Sequence, residues 1–325
     1  MRNVAVFCGG LSSEYEISLK SAQTIINHFP KEYRCHKIII NTSGWWYGDP
    51  NDAVPIDKND FTALLNGKPL HFDMAIIYIH GFPGEDGKVQ AYLDMLNIRY
   101  LNTNALSSEL SFDKWYCNQF LKHFDIPVAE SFLFLQPNDH KKEDVIKALG
   151  LPLFIKPCDS GSSFGVSKVQ NIDAYDQAMI YAFEEGETVV AEKFLNGREV
   201  TCGAYRNLKG IVTLPTTEII TEHDFFDFAA KYEGKSQEIT PAQISDYENQ
   251  LVQSLTEKIY KLLRLKSIAR VDYILVNGQP HLIEVNTIPG FSSASLVPQQ
   301  LACAGIEITQ CFDEIMRCEF KDWYQ

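Results

Sequence analysis

Apolar runs alternate with helix-spaced apolar positions through the first third of the chain. Residues 3–8 (Asn-Val-Ala-Val-Phe-Cys) are almost continuously apolar, the pattern of a strand covered on both faces. Ile17, Ala22, Ile25, Ile26 and Phe29 then recur at helical spacing, and Ser13-x-x-Glu16 is placed to form a capping box at the helix start. Residues 35–40 and 73–79 read as further strands, and 88–96 as a helix behind the glycine-dense loop His80-Gly81-Phe82-Pro83-Gly84-Glu85-Asp86-Gly87. This alternation predicts an α/β unit. Gly9-Gly10 lacks both the G-x-G-x-x-G pattern and a phosphate-loop lysine, so it reads as a strand-to-helix turn, with Glu14 at the strand's C-terminal end, where open α/β sheets place ligands.

A second unit begins after Asn102-Thr103-Asn104. A helix around Lys114, capped near Ser111, precedes a strand at 132–135 and a helix at 143–149 that stops at Gly150. Strand 153–157 carries Lys156 into the loop Cys158-Asp159-Ser160-Gly161-Ser162-Ser163-Phe164-Gly165, followed by strands at 166–169 and 188–194. That loop reads either as a flap over phosphates or as an ordinary hairpin turn. Glu192 and Glu199 sit where they would hold ribose hydroxyls or simply face solvent, and His80 reads equally as a site residue or a hydrogen-bonded loop histidine. The last third is α+β in pattern. Strands at 200–205 and 211–214 lead to a long polar-aromatic segment at 221–240, which reads as a lid or a disordered loop, then to a helix at 247–263.

The richest chemistry lies beyond that helix. Residues 270–276 and 279–286 flank Asn277-Gly278, a strong hairpin signal. Arg270 and Asp272 share one face of the first strand, and Glu284 and Asn286 share one face of the second. These are hard oxygen ligands suited to Mg²⁺ held with phosphates, although a solvated outer sheet face gives the same alternation. A two-residue turn opposes Asp272 to Ile283 and sets the two carboxylates on opposite faces. A shift by one residue, from a three-residue loop centred on Gly278 or a β-bulge further in, opposes Asp272 to Glu284 and Arg270 to Asn286. The expectation is that the metal site overrides the tight Asn-Gly turn, which also moves Pro280 to the turn mouth. The segment 289–296 follows, small and turn-rich, able to bring N–H groups close to an anion.

Composition narrows the classes. With 325 residues, 45% of them hydrophobic, the chain buries a large core in two or three domains. A formal charge of −13 without any run of Lys and Arg argues against nucleic acid as a partner. No apolar run reaches membrane-spanning length and no leader pattern opens the chain, so a soluble, cytoplasmic protein is expected. The eight cysteines lack Cys-x-x-Cys spacing and read as buried, reduced thiols.

Taken together, several motifs resemble one family. They are Gly9-Gly10-x-Ser12-x-Glu14-x-x-x-Ser18, His80-Gly81-x-x-Gly84-Glu85-Asp86-Gly87, Lys156-Pro157 with Gly161-Ser162-Ser163-x-Gly165, Lys231-Tyr232, Arg270-x-Asp272, Glu284-x-Asn286-Thr287-x-Pro289-Gly290 and Ser295-Leu296-x-Pro298. In this order, over residues 4–298, they resemble the D-alanine–D-alanine ligases. Ser267 and Ala91 depart from the family's usual glycines, at positions outside the matched site. The resemblance implies a three-domain ATP-grasp architecture: a Rossmann-like N-terminal domain (1–103), a central subdomain (104–195) and a C-terminal subdomain (196–325). It also implies ATP and two Mg²⁺ ions, with Mn²⁺ an acceptable substitute, and D-alanine as substrate. A homodimer and a role in supplying peptidoglycan precursors are implied as well. By the family's pattern Lys114, Lys156 and Lys231 hold phosphates, together with Ser163, Glu192 and Glu199 around the nucleotide. Asp272, Glu284 and Asn286 ligate the metal, while Arg270 and the Gly290 N–H form the oxyanion site. Glu14, with His80 nearby, binds the first ammonium, and Ser295 with the Leu296 backbone binds the second carboxylate. Tyr232 closes over the site through Ser162 and Glu14. The alternatives are a D-alanine–D-lactate ligase, which Tyr232 opposes, and a non-catalytic nucleotide-binding relative, which the intact Arg270, Asp272, Glu284 and Asn286 oppose.

Overall fold

The computed structural model describes residues 1–49, 53–161, 163–221 and 236–324. Ser162, Lys231, Tyr232 and most of the expected lid fall outside these residues. The first sheet contains β1 (Arg2–Gly9), β2 (Tyr33–Asn41), β3 (Gly44–Tyr47), β4 (Val54–Asp57), β5 (Thr62–Leu65), β6 (Lys68–Leu70), β7 (Met74–Ile77) and β8 (Arg99–Tyr100). Its order is β6-β5-β4-β3-β2-β1-β7-β8. Only β2, β1, β7 and β8 run parallel. The chain from 44 to 70 adds an antiparallel edge that the sequence pattern did not reveal, because its strands are short and half-polar. Val4 to Cys8 of β1 are wholly buried, as the continuous apolar run requires.

Helix α1 (Tyr15–His28) begins later than the Ser13 capping box predicts, with Glu14 in the N-cap position and no side-chain cap. Ser12 and Ser18 act instead as braces. Ser18 Oγ accepts the Gly9 N–H at 2.8 Å and donates to Tyr78 O at 2.6 Å, while Ser12 Oγ donates to His80 O at 2.7 Å. These bonds tie the β1–α1 turn to the loop after β7. Gly9 adopts φ +85°, and a Cβ there would meet Ile40 O at 2.4 Å, so only glycine fits the turn.

After α2 (Lys88–Met95) and α3 (Ala105–Phe112), helix α4 (Lys114–Lys122) is capped by Asp113, which accepts the Tyr116 N–H at 2.8 Å. The expected cap at Ser111 is corrected: that residue is buried inside α3. The second sheet holds β9 (Ser131–Phe134), β10 (Leu153–Pro157), β11 (Ser167–Val169) and β12 (Val189–Lys193) in the antiparallel order β11-β10-β12-β9. Helices α5 (Lys142–Leu149) and α6 (Tyr175–Glu185) cover it with Val145, Leu149, Ala178 and Ala182.

The third sheet runs β16 (Ser236–Ile239), β15 (Thr217–Thr221), β13 (Arg198–Asn207), β17 (Ala269–Val276), β18 (Gln279–Asn286), with β14 (Gly210–Thr213) also paired to β13. Helix α7 (Asp246–Leu262) packs against it, opened by a complete Ser245–Glu248 capping box. Helices α8 (Leu296–Cys303) and α9 (Ile308–Glu319) return to the first sheet: Phe312 of α9 lies 5.4 Å from Phe29 and 5.5 Å from Phe291, ring centre to ring centre. One buried cluster therefore runs from Val4 through the first sheet to Phe320.

The hairpin keeps its tight turn, contrary to the expected override. Val276 opposes Gln279, with Asn277 and Gly278 at φ +50° and +78°, as a type I′ turn demands. A β-bulge between Asp272 and Tyr273 then supplies the shift, leaving Ile283 as the extra residue and opposing Asp272 to Glu284 and Arg270 to Asn286. Pro280 opposes Leu275, one pair in from the turn. That pair is a non-hydrogen-bonded one in an edge strand, so the missing N–H costs nothing there. No disulfide forms among the eight cysteines, and Cys303 is exposed, correcting the expectation that all are buried. No helix among the described residues is long and apolar enough to cross a membrane.

Candidate active site

The three sheets meet around one cavity of about 850 Å³. The bulged hairpin contributes its central wall. Arg270 donates to both oxygens of Asp272, Nε at 2.8 Å and Nη2 at 2.7 Å, a bidentate pair that fixes both planes. Asn286 Nδ2 adds a 3.0 Å bond to Asp272 Oδ2. Thr201 Oγ1, buried on β13 and opposite Asp272, donates a 2.5 Å bond to Oδ1. The Asp272 carboxylate thus has four donors around it. The bulge also places consecutive residues Ile283 and Glu284 along the same cavity.

The lysines arrive from the second sheet and α4. Lys156 Nζ meets Glu192 Oε2 at 2.6 Å, with both side chains about nine-tenths buried. Removing either partner would leave a buried charge uncompensated. Lys114 Nζ donates to Ser160 O at 2.6 Å and lies 3.9 Å from Glu284 Oε2, linking the glycine-serine loop to the hairpin. Ser163, at φ +61°, lines the cavity, as does Glu199 from β13.

At the other end, Glu14 from the α1 cap position enters the cavity, close enough that a Cβ on Gly161 would stand 3.2 Å from its Oε2. His80 lies beside it, but both ring nitrogens are engaged: Nδ1 with Ile288 O at 2.9 Å and Nε2 with Ser21 Oγ at 3.2 Å. Burial lowers its pKa, so the ring is neutral at pH 7 and serves as a brace of the wall. Glu85 accepts the Gly81 N–H at 2.7 Å. Burial, and then the charge of Glu14, push its carboxyl up to about 8.

The third wall is the loop into α8. Ser292 N–H donates to Ser295 Oγ at 3.0 Å, and Ser295 N–H returns to Ser292 O at 2.9 Å, a closed turn at the start of α8 that lines the cavity with Ser292, Ser295 and Leu296. Gly290 packs on it, with room for a Cβ only 3.1 Å from Ser295 Oγ.

Every described candidate from the sequence therefore reaches one cavity: Glu14, His80, Lys114, Lys156, Ser163, Glu192, Glu199, Arg270, Asp272, Glu284, Asn286, Gly290, Ser295 and Leu296. Ser162, Lys231 and Tyr232 lie outside the described residues. Sequence reading missed Thr201, Glu85 and Glu238 as individual site residues. Glu85 lay inside a quoted motif, whereas Thr201 and Glu238 carry no local signal, since a threonine or glutamate in a strand is ordinary.

Two family models match the chain: "D-ala D-ala ligase N-terminus" over residues 3–103 and "D-ala D-ala ligase C-terminus" over residues 120–317. The chain is 44% identical to the D-alanine–D-alanine ligase of Parabacteroides distasonis, covering 99% of this chain and 98% of that one. It is 46% identical to the D-alanine–D-alanine ligase of Azobacteroides pseudotrichonymphae, covering 97% and 99%. Among solved structures it superposes on the VanG D-Ala:D-Ser ligase of Enterococcus faecalis with a TM-score of 0.87 at 30% identity, covering 97% and 98%. It superposes on the Bacillus anthracis D-alanine–D-alanine ligase complexed with ATP with a TM-score of 0.80 at 28% identity, covering 99% and 98%.

Proposed function

Since the chain belongs to the D-alanine–D-alanine ligase family, we propose that it joins two D-alanine molecules at the expense of ATP, supplying a peptidoglycan precursor. The observation that carries this reading is the convergence of an oxygen-rich hairpin face, two lysines and a helix N-terminus on one cavity. The γ-phosphoryl group passes to a carboxylate oxygen of the first D-alanine. The amine of the second then attacks the acyl carbon, the C–N bond forms, and the C–O bond to phosphate breaks.

In this reading Lys114 and Lys156 hold the nucleotide phosphates, with Ser163, Glu192 and Glu199 around the rest of the nucleotide. Asp272, Glu284 and Asn286 form an all-oxygen set on one sheet face that fits a hard divalent cation such as Mg²⁺. Asn286 would turn its amide oxygen inward to join that set. The ion supplies charge neutralisation for phosphoryl transfer. Arg270 and the Gly290 N–H stabilise the oxyanion, Glu14 takes the first ammonium, and the Ser295–Leu296 turn takes the second carboxylate. By the family's pattern Lys231, Tyr232 and Ser162 complete the closure that keeps water from the acyl phosphate. A homodimer in the cytoplasm completes the proposal.

The test is product identification by mass spectrometry from ATP, Mg²⁺ and D-alanine, with phosphate release followed in parallel. The expected result is the D,D-dipeptide, with turnover dependent on D-alanine and Mg²⁺ together. Equal turnover with L-alanine, or ATP hydrolysis indifferent to amino acid, removes the reading.

A further inference from the structure

We propose that Glu238 receives the ammonium group of the second amino acid and so selects an amine over a hydroxyl as nucleophile. The proposal rests on the ligase reading and assigns a residue to the half of the site that recognises the acceptor. Glu238 opposes Ile219 across β15 and β16, so the two side chains share a face. Ile219 packs against Leu296 at the head of α8, and all three line the cavity. Gln299, one turn along α8 from Ser295, fixes the carboxylate: its Nε2 donates to Glu238 Oε2 at 2.8 Å and to Ala294 O at 2.9 Å. Glu238 is therefore anchored to the turn that would hold the second carboxylate.

The chemistry of an α-amino acid requires such a group, because its ammonium sits on the carbon next to its carboxylate. Several other carboxylates in the cavity are committed to cations. Glu218 is held by Arg198 through two 2.7 Å bonds, Glu192 by Lys156, and Asp272 by Arg270. Glu238 is half-buried and bonded to a neutral amide. Burial raises its pKa, opposed by the Gln299 bond and by the charge of Arg270, so a cationic partner suits it better than water-poor isolation. A hydroxy acid offers it only a neutral hydroxyl, and discrimination follows from leaving the carboxylate poorly paired.

The experiment compares wild type with Glu238→Gln in steady-state assays that resolve the two D-alanine sites, with D-lactate as competing acceptor. Loss of a charged hydrogen bond predicts a rise in KM for the second D-alanine of about 10- to 100-fold. KM for ATP and for the first D-alanine should stay within about twofold, and the share of depsipeptide product should grow. Gln299→Ala, which loosens the carboxylate without removing it, should move the same two readouts in the same direction by a smaller factor. Unchanged second-site KM and unchanged product ratio in folded Glu238→Gln, or in Gln299→Ala if the first variant fails to fold, overturns the assignment. A wild-type enzyme that makes no dipeptide instead overturns the ligase reading, and this is seen before any variant is assayed.

Discussion

Asp272 shows how a single carboxylate is set by neighbours that lie far away in sequence. Thr201 reaches it from β13, the central strand of the third sheet, and its hydroxyl also donates to Val271 O at 3.3 Å. Thr201→Val keeps the shape and removes the donor, so metal affinity should fall roughly 10- to 100-fold, as outer partners of ligands typically do. Isothermal titration with Mg²⁺ and nucleotide checks this, and unaltered affinity would reduce Thr201 to packing. Asp272→Asn should suppress turnover far more than nucleotide binding, because the lost charge acts mainly on the transferred phosphoryl group. Nucleotide affinity that collapses while residual turnover stays normal would contradict the metal assignment. Glu85 gives a pH signature. Its folded carboxyl titrates near 8, above its ordinary 4.5, so its contribution to stability is complete below about 4.5 and is lost as pH rises through 8. Glu85→Gln should therefore flatten the fall in Tm between pH 5 and 8, whereas a parallel pair of pH curves would place that titration elsewhere. None of these neighbour effects is readable from local sequence, since Thr201 and Asp272 are 71 positions apart. The proposed ligands were readable as a set because their i, i+2 spacing places them on one strand face.

At the level of elements, the hairpin shows two local signals that coexist. Asn277-Gly278 does form its two-residue turn, and the bulge at Ile283 restores the carboxylate register. Sequence alone exposes the conflict between turn and metal site but not which one yields, because a bulge has no compulsory residue type away from glycine. Gly278→Ala should cost about 1–2 kcal/mol through its positive φ, since a Cβ there meets nothing nearer than Glu248 Oε1 at 3.5 Å. Denaturant unfolding measures that cost, and turnover should be unchanged because the bulge sets the site. A large loss of turnover would mean the turn holds the register instead. The α1 start teaches the complementary lesson: Ser13-x-x-Glu16 fits a capping box, yet Ser12 and Ser18 brace the turn through tertiary bonds that local pattern cannot show.

Across the whole molecule, the strands β1, β2 and β7 of the parallel core were legible because buried strands leave continuous apolar runs. The closing of that core was not. Cys311, Phe312, Ile315, Met316 and Phe320 complete a cluster that begins at Val4. Arg99 binds Asp322 at 2.6 and 3.0 Å and stacks on Phe320, while Arg2 covers Trp323 at 4.0 Å. Residues 1–103 expressed alone should therefore lack fixed tertiary packing, seen as weak near-ultraviolet circular dichroism and dye binding; sharp cooperative unfolding would show the unit complete without its C-terminal cover. The same arrangement bears on synthesis. The opening strands leave the ribosome long before α9 exists, and at ≈ 5–20 residues per second their apolar face waits on the order of 15–60 s for its cover. Nascent chains of this protein thus offer chaperones a defined window, which closes only when translation reaches the last helix.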